Sequence, residues 1–139
     1  MLLTRTRRFY SSQVHTPTYF EHYVLNIEVK GEPIELALWD TTGRGDYEEG
    51  LRPPGYPGTH SFLICFLIDQ PDSLENAISL WYPHIRYFGG EKVPLFLVGC
   101  KKDVRNDEGM GQWLSRSSYV QVTTEQGKEM AKVIGAEYF

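Results

Sequence analysis

Two uninterrupted apolar runs constrain this chain most: "SFLICFLID" (61–69) and "VPLFLVGC" (93–100). An amphipathic strand that covers one side of a core alternates apolar and polar residues. A run with no alternation suits a strand buried on both faces of a parallel sheet. Between the two runs, "PDSLENAISLWYPHIRYF" carries Leu74, Ala77, Ile78, Trp81, Ile85 and Phe88 at helical spacing, with Asp72 or Ser73 as the predicted N-cap and Pro83 as a predicted kink. Strand, helix and parallel strand form a right-handed crossover, so the chain is read as α/β.

The residues on either side extend the pattern. Upstream, "YVLNIEV" (23–29) and "IELALW" (34–39) do alternate, and Lys30, Gly31, Glu32 and Pro33 between them predict a tight turn and an antiparallel hairpin. Downstream, "TTEQGKEMAKVIGA" (123–136) predicts a second helix. Its cap is Thr123 or Thr124, its apolar side is Met130, Ala131, Val133 and Ile134, and its stop is Gly135. The stretch 105–121 is polar and poorly periodic, which predicts a surface loop or a short weak helix.

With 139 residues, a single domain covering 1–139 is expected. The net charge of -4, with one basic cluster at Arg5, Arg7 and Arg8, argues against a nucleic-acid partner. The longest apolar run is much shorter than the roughly 20 residues that a membrane-spanning helix needs. Cys65 and Cys100, the two cysteines, lie in separate apolar runs without metal-ligand spacing, and "MLLTRTRRF" lacks the apolar core of a signal peptide. A cytoplasmic protein with reduced thiols is the expectation.

Asp40 ends the second hairpin strand and opens "DTTG". In α/β folds ligands bind beyond the carboxyl ends of strands, so a strand that turns polar there points to a site. Three polar clusters follow extended segments in order: "TPTYFEHY" (16–23), "DTTG" (40–43) and "CKKD" (100–103). Together with "ELALWDTTG", "DSLEN" and "VPLFLVGCKKDVRNDE", they resemble the switch I, D-x-x-G and N-K-x-D signatures of small GTPases of the Rho family.

The resemblance implies a small-GTPase, P-loop-NTPase-like sheet with helices on both faces, binding GTP or GDP with Mg²⁺ and signalling through effector and regulator proteins of Rho type. It implies that Thr18 and Asp40 hold the metal and that Gly43 offers its N–H to the γ-phosphate. Cys100, Lys101 and Asp103 would form the guanine loop, with Asp103 accepting hydrogen bonds from the base and the Lys101 stem packing along it. Tyr19, Phe20, Glu21 and Tyr23 match the effector-binding stretch. A monomer is expected.

The sequence also departs from the family pattern. No G-x-x-x-x-G-K-[ST] occurs, so an incomplete domain is expected, missing the phosphate loop, the first, central strand and the last strand, with no prenylation motif. Arg44 stands where the family orients its attacking water with glutamine, which implies slow hydrolysis, and Cys100 replaces the asparagine of N-K-x-D. Two other readings fit these departures: a protein-interaction module that needs no nucleotide, and an incomplete gene model.

Overall fold

A computed structural model describes residues 20–41, 55–106 and 120–139. It forms two compact units, 1–51 and 52–139.

In the first unit, β1 (Phe20–Val29) pairs antiparallel with β2 (Glu32–Thr41). The turn is tighter than the four residues expected. Lys30 and Gly31 alone make it, at φ 54° and 86°, and Val29 faces Glu32 across its base. Two successive positive φ values match the right-handed twist of a hairpin, and glycine takes its position without steric cost. Glu32 and Pro33 therefore belong to β2, where proline is tolerated because a two-stranded ribbon leaves its strands with an open edge. The alternation lies where the sequence puts it. Tyr23, Leu25, Ile27, Leu36 and Leu38 share a half-buried face, while His22, Val24, Ala37 and Trp39 stand on the exposed one. On that outer face His22 and Trp39, directly opposed, bring their rings to 4.2 Å between centroids.

The second unit holds a parallel sheet in the order β3-β4-β5, made of β3 (Phe62–Leu67), β4 (Leu95–Cys100) and β5 (Glu137–Tyr138). The last strand was expected to lie beyond this chain, but it begins inside it. Glu137 and Tyr138 pair with Phe96 and Leu97, and the Phe139 N–H continues the ladder to the Leu97 carbonyl at 3.0 Å.

Between β3 and β4 the chain is continuously helical from Pro71 to Gly89, as α1 (Pro71–Asn76), a π-helical turn (Ala77–Trp81) and α2 (Tyr82–Gly89). That π turn stands just before Pro83, where a kink was expected. Proline has no N–H and crowds the carbonyl four residues back, and a wider turn just before it relieves both problems. The N-cap is Gln70, neither Asp72 nor Ser73, because Pro71 at the first helical position sets the start. Ser73 is used otherwise: its Oγ accepts from the Leu67 N–H at 2.8 Å and donates to the Gln70 carbonyl at 2.6 Å, tying α1 to the end of β3.

All six apolar residues read from the helical spacing join the core. Leu74, Ala77 and Ile85 are buried, and Ile78, Trp81 and Phe88 pack against them.

The other helix, α3 (Thr124–Ile134), is capped by Thr123, one of the two threonines expected, and the cap is reciprocal. Thr123 Oγ1 accepts from the Gln126 N–H at 3.1 Å, and Gln126 Oε1 accepts from the Thr123 N–H at 2.8 Å. Gly135 ends it at φ 64°. The inward face is Gly127, Ala131 and Ile134 with Met130 at its side, and Val133, expected inside, is exposed.

The expectation that both apolar runs are buried on two faces is corrected for β3. One face, Ile64 and Phe66 of β3 with Leu95 and Leu97 of β4, lies under the helices. On the other, Leu63 is 61% exposed and Cys65 is exposed, while Phe96, Val98 and Cys100 are half-buried. Among the described residues the helices cover one face of this sheet, so the apolar side chains on its reverse have no helix above them.

Candidate functional site

Of the described polar residues singled out in the sequence, Asp40 lies near the carboxyl end of β2, and Cys100, Lys101 and Asp103 lie at and just beyond the carboxyl end of β4. In the first unit, Asp40 is the penultimate residue of β2, opposite Glu21, on the half-buried face with Leu36 and Leu38. Tyr23 is half-buried on the same side of the hairpin, in β1, the strand that also carries Phe20 and Glu21. Thr18, Tyr19, Gly43 and Arg44 lie outside the described residues.

In the second unit the site is the loop that leaves β4. Cys100 closes that strand opposite Leu67. Lys101 then takes a left-handed backbone, φ 62°, a conformation that costs a lysine some strain and turns the chain sharply. A 3₁₀ turn follows over Lys102–Asn106. Buried Val104 anchors it, and the Val104 N–H donates to the Lys101 carbonyl at 3.1 Å. Asp103 is exposed on this turn, with its carboxylate available as an acceptor.

Three ties hold the loop. Lys101 Nζ bonds Asp69 Oδ2 at 2.9 Å, with the Asp69 side chain 11% exposed and that of Lys101 46%. Arg105 donates to Thr124 Oγ1 and to the Val122 carbonyl, both at 3.0 Å, which fastens the turn to the start of α3. The Ile68 N–H donates to the Cys100 carbonyl at 3.2 Å, and the Val122 N–H to the Ile68 carbonyl at 2.9 Å. The ends of β3 and β4 are thereby sewn together just where the polar residues emerge. The other oxygen of Asp69, Oδ1, is buried and without a hydrogen-bond partner among the described residues.

Asp69 and Arg105 were not foreseen as site residues. Asp69 had a signal: "SFLICFLID" ends on an acid, "LFLVGCK" ends on a base, and a parallel register sets the two ends side by side. Arg105 had none, because its partners belong to a helix start nineteen residues further on.

Chemically, the described part of this loop offers one exposed carboxylate, Asp103, on a 3₁₀ turn, beside a lysine whose ammonium is paired with Asp69. Such an arrangement suits a flat ligand that presents two adjacent N–H groups. Among the described residues no helix is long and apolar enough to cross a membrane.

Comparison with known proteins shows the family. The model of the Ras family matches residues 1–139. The chain is 47% identical over 124 residues to the GTP-binding protein rho1 of Schizosaccharomyces pombe, covering 89% of this chain and 60% of that protein. It is 43% identical over 122 residues to the human Rho-related GTP-binding protein RhoD, covering 88% of this chain and 57% of that one. It thus spans somewhat less than two thirds of the length of these relatives. The chain belongs to the Ras family, as a small GTPase chain of Rho type.

Proposed function

We propose that the protein is a Rho-like molecular switch of signal transduction that binds GTP, hydrolyses it and engages effectors and regulators in the cytoplasm. The observation that carries this reading is the loop after β4, with Asp103 exposed on a 3₁₀ turn and Lys101 fixed beside it by Asp69. Guanine presents N1–H and an exocyclic amino group side by side, and one carboxylate accepts from both. Adenine offers no such pair, so Asp103 gives base selectivity. Lys101 contributes its aliphatic stem along the base. Cys100, a thiol in place of an amide, holds its neighbours less firmly than asparagine would.

In the first unit the residues suit a Mg²⁺-phosphate group. Asp40 is a partly buried carboxylate at a strand's end, a hard oxygen donor of the kind that Mg²⁺ takes. Thr18 adds a hydroxyl, and the Thr18 and Gly43 N–H groups donate to the γ-phosphate, so that the segments carrying them respond to its loss. Bound Mg²⁺ would neutralise charge on the β- and γ-phosphates. Water attacks the γ-phosphorus in line, leaving GDP and phosphate. Arg44 has no acceptor with which to orient that water, which makes hydrolysis slow. Tyr19, Phe20, Glu21 and Tyr23 supply the surface for effectors. The 139 residues hold no Gly-rich phosphate loop, so their own affinity for the triphosphate is modest.

Calorimetric titration of the chain with GTP and with ATP, each with Mg²⁺, tests the reading. A preference for GTP is expected; indifference between the two nucleotides, or heat from neither, overturns it.

A further inference from the structure

A groove of about 590 Å³ opens in the second unit between the helical stretch that follows β3 and the start of α3. Its floor is apolar: Leu74 and Val122 are buried beneath it, and Ile78 and Met130 are half-buried along it. Val120 borders it and is 74% exposed. The rim also carries Asp72 and Glu75, one turn apart on α1. Both acids are exposed, neither is in an ion pair among the described residues, and no described residue lining the groove is basic.

The groove is built before anything binds. On one side the Val122 N–H is held by the Ile68 carbonyl at 2.9 Å, and the Val122 carbonyl by Arg105 at 3.0 Å. On the other, α1 runs without a break into the π turn.

We propose that this groove docks an amphipathic helix of a partner protein, apolar on the face that enters and flanked by lysine or arginine. Three observations select that occupant. The apolar floor takes aliphatic side chains, while Asp72 and Glu75 at the rim attract cations. The helices on either side spend their backbone groups internally, so an extended peptide gains no strand pairing here, whereas a helix satisfies its own backbone. A second copy of this chain, meeting the first in a twofold contact, would set the same two carboxylates against each other. The groove shares no residue with the loop that carries Asp103, so docking requires no nucleotide.

Fluorescence anisotropy with the full chain tests this, using three synthetic helices that share one leucine face and carry lysine, glutamine or glutamate on their flanks. The lysine helix should bind at least about tenfold more tightly than the glutamate helix, with glutamine between them, and the gap should shrink as salt rises. Glu75→Lys should bring the lysine and glutamate helices within about threefold of each other. Val120→Ser should weaken all three. Both side chains are exposed, so both variants keep the fold, which circular dichroism checks. In the isotope-labelled chain, the amides of Ser79, Gln121 and Gln126 at the groove should shift when the lysine helix is added.

An equal or stronger hold on the glutamate helix overturns the inference, as do amide shifts away from the groove or no binding of the lysine helix at about 100 μM. Sedimentation at rising concentration covers the alternative occupant: a dimer of the chain that Val120→Ser dissociates would give the groove to a second copy and overturn the inference as well.

Discussion

The hairpin of β1 and β2 and the sheet of β3, β4 and β5 are both legible as strands, yet they are stabilised differently. In the hairpin no residue with a described side chain is buried, and even Val24, Val29, Ile34 and Trp39 are more than 40% exposed. In the second unit Phe66, Ile68, Leu97 and Ile134 are almost wholly enclosed in the core between sheet and helices. A ribbon of two strands satisfies its backbone along one edge and leaves little apolar surface to remove from water. A parallel sheet roofed by helices gains most of its stability from that removal. The two regions should therefore respond very differently to the same kind of substitution.

Leu97→Ala has the largest expected effect. A fully buried leucine leaves a cavity on truncation, and denaturant unfolding of the second unit should show a loss of about 2–5 kcal/mol. Val24→Ala, on the hairpin's outer face, should stay within about 0.5 kcal/mol, and equal losses at both positions would erase the contrast.

Gly127→Ala comes next. A Cβ there would lie 2.6 Å from Tyr138 Cζ, too close for the ring to remain in place. The overlap costs about 1–3 kcal/mol, and the better helix propensity of alanine returns at most about 1. Tyr138→Ala in the same background should recover part of the loss, which ties the effect to that ring.

Thr123→Ala removes half of the reciprocal cap of α3 and should cost about 1 kcal/mol by the same unfolding measurement. The smallest effect is a gain. Lys30→Asn suits the positive φ of the hairpin turn better than lysine does, and should stabilise the hairpin by a few tenths of a kcal/mol, detectable as slower amide exchange across the Val29–Glu32 pair.

The same contrast explains what could be read beforehand. Alternation in 23–29 and 34–39 specified the hairpin's register faces, because one slip would exchange every side chain between faces. The helical spacing from Leu74 to Phe88 identified its core residues correctly although a π turn interrupts it, since residues before, within and after that turn all reach the core. The exposed reverse of β3 was not legible: a continuous apolar run says that both faces can be buried, not that something covers each.

At the site, "CKKD" pointed to Lys101 and Asp103, and the strand-end rule pointed to Asp40. What sequence could not supply was the left-handed turn at Lys101 and the register that turns the acid ending one run and the base ending the other into a tether between Asp69 and Lys101. Lysine carries no preference for positive φ, and the tether depends on the register of two strands far apart in the chain.

The central claim concerns one exposed carboxylate, so its most direct test changes the hydrogen-bonding sense of that group alone. Asp103→Asn replaces an acceptor by an amide that also donates, and xanthine differs from guanine by a carbonyl where guanine has its amino group. Competition titrations of the variant with GTP and xanthosine triphosphate should show the preference inverted towards xanthine, with the fold intact by circular dichroism. A variant that still prefers guanine would mean that Asp103 does not read the base, and the account would be wrong at its centre.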